Sequence, residues 1–153
     1  ALVVTGDFQL EKAKTVKDLF ETNYLGSFLF SRECSKQMIK KKWGRIINFS
    51  TIAVPLNLEG EMVYASSKSA IEKMSKIMSK ELSTYNITIN TIGPTPIYTD
   101  LIKVVPKDKV DQIINMQAIK RFGSFEDISN VIDFFVSNES SFITGQKIYL
   151  GGL

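Results

Sequence analysis

The fold is constrained most by an alternation of helical patterns with short runs of β-branched residues. Apolar residues recur at three- and four-residue steps in the longer segments, as they do on the buried face of a helix. The pattern predicts helices over residues 15–42, 62–85, 108–118 and 125–136, and strands over residues 45–50, 87–92 and 147–150. Gly44 is expected to end the first helix. Because such an order is typical of right-handed βαβ units, we expect an α/β fold with a parallel sheet covered by helices.

Length, charge and composition narrow the functional classes. A chain of 153 residues fits one domain, 1–153, with a substantial core. The formal net charge of +3 is too small to indicate a nucleic-acid partner. The sequence contains no histidine, which excludes Ser-His-Asp catalysis and histidine-ligated zinc, so we predict no metal site.

Cysteine content and hydropathy bear on location. The single Cys34 cannot form an intramolecular disulfide and fits a reducing compartment, so we predict a cytoplasmic protein. No apolar run reaches the roughly 18 residues of a membrane-spanning helix. We therefore expect no membrane association.

Hydroxyl and ammonium groups cluster where the predicted sheet would bind a ligand. Ligands of parallel sheets lie beyond the carboxyl ends of the strands, and Ser50 and Thr51 follow the first strand. Either hydroxyl could hydrogen-bond a substrate oxygen. Tyr64 and Lys68 are four residues apart on one helix and therefore share a face. An ammonium beside a phenol lowers the phenol pKa, so Tyr64 could exchange a proton with an alcohol or carbonyl oxygen.

Taken alone, Tyr64 and Lys68 could be a surface pair, but the neighbouring sequence adds specificity. The blocks are NYLGSF at 23–28, GRIINFST at 44–51, YASSKSA at 64–70 and ITINTIGP at 87–94. In this order and spacing they resemble the short-chain dehydrogenase/reductase family. The resemblance runs from about Asn23 to the end of the chain. It implies part of a Rossmann-type, doubly wound parallel sheet, namely the C-terminal portion of a dinucleotide-binding domain.

The resemblance implies a role for each matching residue. Tyr64 would be the general acid and base, and Lys68 would hold the nicotinamide ribose and lower the pKa of the tyrosine. Asn23 is similar to the family's helix asparagine, which completes a water-mediated proton relay. An ungapped alignment places the substrate-polarising hydroxyl at Thr51, with Ser50 as the alternative.

The cofactor implied by the resemblance is NAD or NADP. Tyr64, Lys68, Pro94, Ile97 and Thr99 would contact its nicotinamide end. Thr95 stands where the family usually has glycine, which removes the freedom to adopt a positive φ and is expected to reshape that loop. Residues 98–118, which we call the lid segment, would face the substrate with an apolar wall.

One family feature is absent from the sequence. No glycine occurs between Gly6 and Gly26, so the glycine-rich loop that cradles a dinucleotide pyrophosphate is missing. We therefore expect the chain to be part of a longer polypeptide, without the N-terminal βα units of the fold.

Two functions remain open at this stage. The first is an NAD(P)-dependent oxidoreductase that transfers hydride between nicotinamide and a small alcohol or carbonyl substrate. The alternative is a non-catalytic fragment or scaffold that acts in binding or oligomerisation. In either case the resemblance implies a homodimer or homotetramer, formed through the two long helices.

Overall fold

The computed structural model describes residues 6, 8–100 and 102–153. Leu101, in the lid segment, lies outside this part of the chain. The helices are α1 (Ala13–Leu19), a π-helical turn (Phe20–Leu25), α2 (Gly26–Lys41), α3 (Ala53–Leu56), α4 (Met62–Glu81), α5 (Lys107–Met116) and α6 (Phe125–Val136). The strands are β1 (Gly44–Phe49), β2 (Ile87–Gly93) and β3 (Lys147–Tyr149), and short 3₁₀ turns cover Phe8–Leu10, Ser83–Tyr85 and Ile102–Val104.

The three strands form one parallel sheet in the order β1-β2-β3. Gly44 pairs with Ile87 at one end of β1, and Phe49 pairs with Ile92 at the other. Every residue of β2 is buried, as expected for a central strand covered on both faces. This arrangement confirms the α/β class and the parallel sheet.

The core lies where α2 and α4 cover the sheet. Its centre consists of Ile46, Ile87 and Ile89, of which the last two are almost completely buried. Methionine and aliphatic side chains from the two helices pack against it: Met38, Ile39, Met78 and Leu82. Each fully buried side chain of this size contributes about 1.5–3 kcal/mol, so this contact fixes the position of α4 relative to β1.

The first long helix differs from the expected one because a π-helical turn interrupts it. The Gly26 N–H donates to the carbonyl of Glu21, five residues back, instead of the residue four back. The Ser27 hydroxyl donates to the carbonyl of Asn23 at 2.7 Å, which satisfies an oxygen inside the turn. The side chain of Asn23 is buried there.

Gly44 does not end this helix, contrary to the prediction. Lys42 takes the left-handed C-cap conformation with φ of 50°, and Gly44 is the first residue of β1. The glycine is required by packing, because a Cβ at Gly44 would lie 2.5 Å from the sulfur of Met38. The other boundaries agree with the pattern within a few residues, and α6 has the predicted limits.

Candidate active site

A cavity of about 980 Å³ opens at the carboxyl ends of β1 and β2. All the residues singled out in the sequence line it: Asn23, Ser50, Thr51, Tyr64, Lys68, Pro94, Ile97 and Thr99. They come from the π-helical turn, the end of β1, α4 and the loop after β2. The structure therefore brings together residues that are up to 76 positions apart in the sequence.

Two side chains of α4 hold the end of β1. The Tyr64 phenol lies beside Thr51, whose Oγ1 accepts from the N–H of Ala53 at 3.3 Å. One helical turn later, the Lys68 Nζ donates to the carbonyl of Phe49 at 2.9 Å. The phenol, the threonine hydroxyl and the ammonium thus surround the same few atoms of the strand end.

A third side chain of α4, Glu72, was not identified from the sequence. Its carboxylate is buried and accepts hydrogen bonds from the Ser50 hydroxyl, from the Tyr149 hydroxyl at 2.6 Å and from the Lys147 Nζ at 2.7 Å. A Cβ at Gly93 would lie 2.2 Å from the ring of Tyr149, so the glycine makes room for this ring. We use the term strand-end clasp for Tyr64, Lys68 and Glu72 together with residues 49–51.

The clasp distinguishes Ser50 from Thr51. Side chains alternate along an extended strand, so adjacent hydroxyls point in opposite directions. Ser50 is directed to Glu72, whereas Thr51 is directed to Tyr64 and the cavity. That Thr51, rather than Ser50, polarises the substrate stays a prediction.

Asn23 connects the π-helical turn to the helix that carries Tyr64. Its Nδ2 donates to the hydroxyl of Ser67 at 3.1 Å, and that hydroxyl donates to the carbonyl of Tyr64 at 2.8 Å. Asn23 and Ser67 are both buried. Charge-neutral hydrogen bonds of this kind are costly to break when no water can replace them, so the two elements are held in a fixed relation.

The pKa of Tyr64 differs from the sequence-based expectation. Burial raises the pKa of the phenol and the nearby Glu61 carboxylate raises it further, while the adjacent Thr51 hydroxyl lowers it. Lys68 is not among the causes of the shift; its ammonium is directed to Phe49, and burial lowers its own pKa to about 8. That Lys68 lowers the pKa of Tyr64 stays a prediction.

Glu61 was also missed. It lines the cavity near Tyr64, and burial raises the pKa of its carboxyl to about 7, against an opposing attraction from Lys109. An acidic residue at the start of a helix is ordinarily explained by the helix dipole. The sequence therefore gave no reason to assign it to the site.

The similarity of this chain to known proteins decides its family. The family model described as Enoyl-(Acyl carrier protein) reductase matches residues 2–152. The chain belongs to the short-chain dehydrogenase/reductase family. Members of this family are oxidoreductases, as the names of the relatives indicate.

Two curated relatives illustrate the similarity to this short-chain dehydrogenase/reductase. The 3-oxoacyl-[acyl-carrier-protein] reductase FabG of Aquifex aeolicus (strain VF5) is 31% identical over 136 residues, which are 89% of this chain and 55% of that protein. The reductase of the same name from Escherichia coli (strain K12) is 30% identical over 135 residues, with coverage of 88% and 55%. The chain thus spans about half the length of these relatives.

Solved structures share the fold of the family. NAD+-bound xylitol dehydrogenase superimposes with a TM-score of 0.89 at 25% identity, covering all of this chain and 65% of that one. A putative betaketoacyl-ACP reductase has a TM-score of 0.85 at 24% identity, covering 99% and 64%, and shows the fold alone. The Rossmann-type assignment is confirmed.

The departure of this family member at Thr95 has a structural explanation. Thr95 is buried and its hydroxyl donates to the Oε1 of Gln117 at 2.6 Å. The threonine does not have a positive φ. The loop therefore does not need a glycine at this position, and the threonine adds a hydrogen bond to the end of the lid segment.

The residues that line the cavity of this family member are compatible with the nicotinamide end of a dinucleotide. The ammonium of Lys68 has three donors, and one is used by the carbonyl of Phe49, so the others can meet ribose hydroxyls. Pro94, Ile97 and Thr99 line the same space. Among the described residues we find no helix that could cross a membrane and no metal-binding group of histidine, cysteine or acidic side chains.

Proposed function

We propose that this chain carries the catalytic residues of an NAD(P)-dependent oxidoreductase that interconverts an alcohol and a carbonyl compound. The position of Tyr64 beside Thr51, in a cavity that also holds the buried ammonium of Lys68, is the observation that carries the proposal. The names of the relatives, which are 3-oxoacyl-ACP reductases and an NAD+-bound xylitol dehydrogenase, support it.

In the proposed reaction Tyr64 transfers the proton. During reduction the phenol donates its proton to the substrate oxygen, and during oxidation the phenolate accepts it. The Thr51 hydroxyl, which lies beside the phenol, would hold the same substrate oxygen and stabilise the charge that develops there. NAD(P), when bound, supplies or accepts the hydride at the substrate carbon.

Lys68 and Asn23 act on this centre in different ways. Lys68 holds the ribose hydroxyls of the cofactor, since its ammonium stands in the cavity one turn from Tyr64. Hydrogen bonds to the ribose hydroxyls would also stabilise the charged form of Lys68, whose pKa is about 8 in their absence. Asn23, through Ser67, keeps the helix turn of Tyr64 in place and would serve the proton relay that the family resemblance implies.

The walls of the cavity indicate the substrate class. Pro94, Ile97 and Thr99 would contact the nicotinamide carboxamide. Aliphatic side chains form the far wall, including members of the lid segment: Leu58, Ile102, Val105 and Ile113. We therefore propose a small-molecule substrate with an apolar chain next to its reacting carbon.

Replacement of Tyr64 by phenylalanine tests this function. Tyr64→Phe removes the hydroxyl and retains the ring, so kcat of the full-length protein should fall by on the order of 10²–10⁴. The measurement is the rate of NAD(P)H oxidation with an aliphatic ketone. Tyr85→Phe, on an exposed tyrosine at the far end of the same helical region, is the matched control. Turnover close to that of the unmodified protein would show that Tyr64 is not the proton donor.

A scaffold without turnover is the second candidate. The absence of glycine between Gly6 and Gly26 favours it, because a pyrophosphate needs backbone N–H groups at a glycine-lined helix start. Calorimetric titration with NADH and NADPH separates the two functions, since a scaffold would bind neither. Self-association through the two long helices and a cytoplasmic location stay predictions.

A further inference from the structure

The carboxyl group of Glu61 lines the cavity but does not cap helix α4. Glu61 is the N-cap residue of α4, but its side chain makes no capping hydrogen bond. Its Oε2 is buried and has no hydrogen-bond partner among the described residues. Lys109 attracts it, yet no ion pair between the two is formed in this part of the chain.

A carboxyl oxygen in this state is unfavourable unless something occupies the adjacent space. Burying a polar oxygen without a hydrogen bond costs about 1–3 kcal/mol in proteins, and more if it is charged. Burial accordingly moves the pKa of Glu61 to about 7. Glu61 is among the residues that line the cavity, and no side chain there donates a hydrogen bond to its Oε2 in the described part of the chain.

The carboxyl and the phenol of Tyr64 face the same ligand space. Glu61 precedes Tyr64 by three residues, which places the two on one side of the helix start. The negative charge of Glu61 raises the pKa of the Tyr64 phenol, so the two groups are electrostatically close. A substrate whose oxygen meets Tyr64 would therefore place its next few atoms beside Glu61.

We propose that Glu61 accepts a hydrogen bond from a second hydroxyl group of the substrate. The protein would then act on hydroxyketones and diols in which that hydroxyl stands within a few bonds of the reacting carbon. This inference rests on the proposed oxidoreductase function. A hydroxyl suits the site better than an ammonium group, because Lys109 already supplies positive charge near the carboxyl.

Binding of a diol tests the inference without turnover. The full-length protein is labelled with ¹³C at the glutamate carboxyls, and the resonance of Glu61 is assigned by its absence in Glu61→Gln. 1,2-hexanediol and 2-hexanol, which differ by one hydroxyl, are titrated in the presence of NADH or NADPH, so that neither alcohol can be oxidised. We expect the diol to shift the Glu61 resonance and to bind roughly 10- to 100-fold more tightly than 2-hexanol.

Two variants define the outcome. Glu61→Leu should abolish the preference for the diol, and Glu61→Gln, which keeps one acceptor oxygen, should reduce it in part. Glu59→Leu, on an exposed neighbour outside the cavity, should retain it. Equal affinities for the two alcohols in the unmodified protein, or a preference that survives in Glu61→Leu, would overturn the inference.

Turnover separates this inference from the function on which it rests. With 1-hydroxy-2-hexanone and 2-hexanone, kcat/KM of the unmodified protein should favour the hydroxyketone by roughly tenfold or more, and Glu61→Leu should lose that factor. If the diol binds through Glu61 but neither ketone is reduced, the oxidoreductase proposal fails and the hydroxyl site stands. If both ketones are reduced equally well, the function stands and the role of Glu61 is refuted.

Discussion

The strand-end clasp and the lid segment meet in one cavity but are held in very different ways. In the clasp, Lys68 and Glu72 of α4 bond to the end of β1, Tyr64 lies beside Thr51, and Ser50, Lys68 and Glu72 are buried. In the described part of the lid segment only Val110 and Gln117 are buried. Its ion pair between Lys103 and Asp100 lies in solvent, where such pairs contribute little.

This difference indicates that the clasp carries out proton transfer and that the lid segment recognises the substrate. Groups that exchange a proton need fixed distances, and the sheet and α4 supply them through buried hydrogen bonds. A wall that contacts a substrate can be built from a loosely held segment, which tolerates changes in shape. We therefore expect substitutions in the clasp to reduce kcat or stability, and substitutions in the lid segment to act mainly on KM.

Within the clasp, the largest effect after that of Tyr64→Phe is expected from Thr51→Ala. Loss of a hydroxyl that stabilises charge on the substrate oxygen should lower kcat by roughly 10²–10³. Thr51→Ser, which keeps the hydroxyl, should recover most of the rate, and steady-state kinetics on the full-length protein measure both. If Ser50→Ala proves more harmful to kcat than Thr51→Ala, the assignment of the two hydroxyls is reversed.

The charge of Lys68 should make the stability of the clasp depend on pH. Burial lowers the pKa of Lys68 from 10.5 to about 8, which corresponds to about 3 kcal/mol. Below pH 8 both folded and unfolded chains hold the proton, and the folded state bears the whole cost. As the pH rises from 8 to 10.5 the folded state releases its proton first, so the unfolded state holds more protons and stability rises.

Lys68→Met should not show this rise. Urea unfolding at pH 7.5 and pH 10 should therefore find that the unmodified protein gains stability relative to Lys68→Met between these values. Lys73→Met, at an exposed position on the same helix, should follow the unmodified protein. A constant difference between the unmodified protein and Lys68→Met at both values would show that the lysine is not desolvated.

Glu72→Leu should destabilise the protein by about 1–3 kcal/mol. The substitution leaves the buried hydroxyl of Ser50 without its acceptor and removes the bonds to Lys147 and Tyr149. Chemical denaturation measures the loss. The control is Glu81→Leu, at an exposed position on α4, and a loss no larger than in that control would mean that the carboxylate does not hold the strands together.

The smallest effect is expected in the lid segment. Ile113 is half-buried and lines the cavity, so Ile113→Ala should cost about 1 kcal/mol or less in stability. It should raise KM for an aliphatic ketone more than it lowers kcat. The adjacent Ile114 does not line the cavity, and Ile114→Ala should leave KM unchanged. A fall in kcat at constant KM for Ile113→Ala would remove the distinction between the two regions.

The sequence predicted those parts of the molecule that depend on short patterns. The strands around Ile46 and Ile89 follow from runs of β-branched residues. Helix α6 has the limits that its apolar pattern predicted, and a capping box of Ser124 and Asp127 fixes its start in the structure. The proximity of Thr51 to Tyr64 followed from the rule that ligands lie at the carboxyl ends of parallel strands.

Features that depend on distant partners were not predicted. Glu72 is satisfied by Ser50, 22 residues before it, and by Lys147 and Tyr149, 75 and 77 residues after it. In the sequence it is one more acidic residue on an amphipathic helix. The direction of the pKa shift at Tyr64 was also missed, because burial of the phenol is a property of the assembled cavity.

The π-helical turn has a consequence for the phase of the helix that contains it. Each residue of an α-helix advances by about 100°, so the 12 steps from Leu19 to Ser31 would leave these two side chains about 120° apart. Both are buried. A turn that absorbs one additional residue reduces the offset to about 20°, which returns Ser31 and Ser35 to the buried side. A shift of about 120° in the positions of buried residues along a predicted helix can therefore indicate a π-helical turn from the sequence alone.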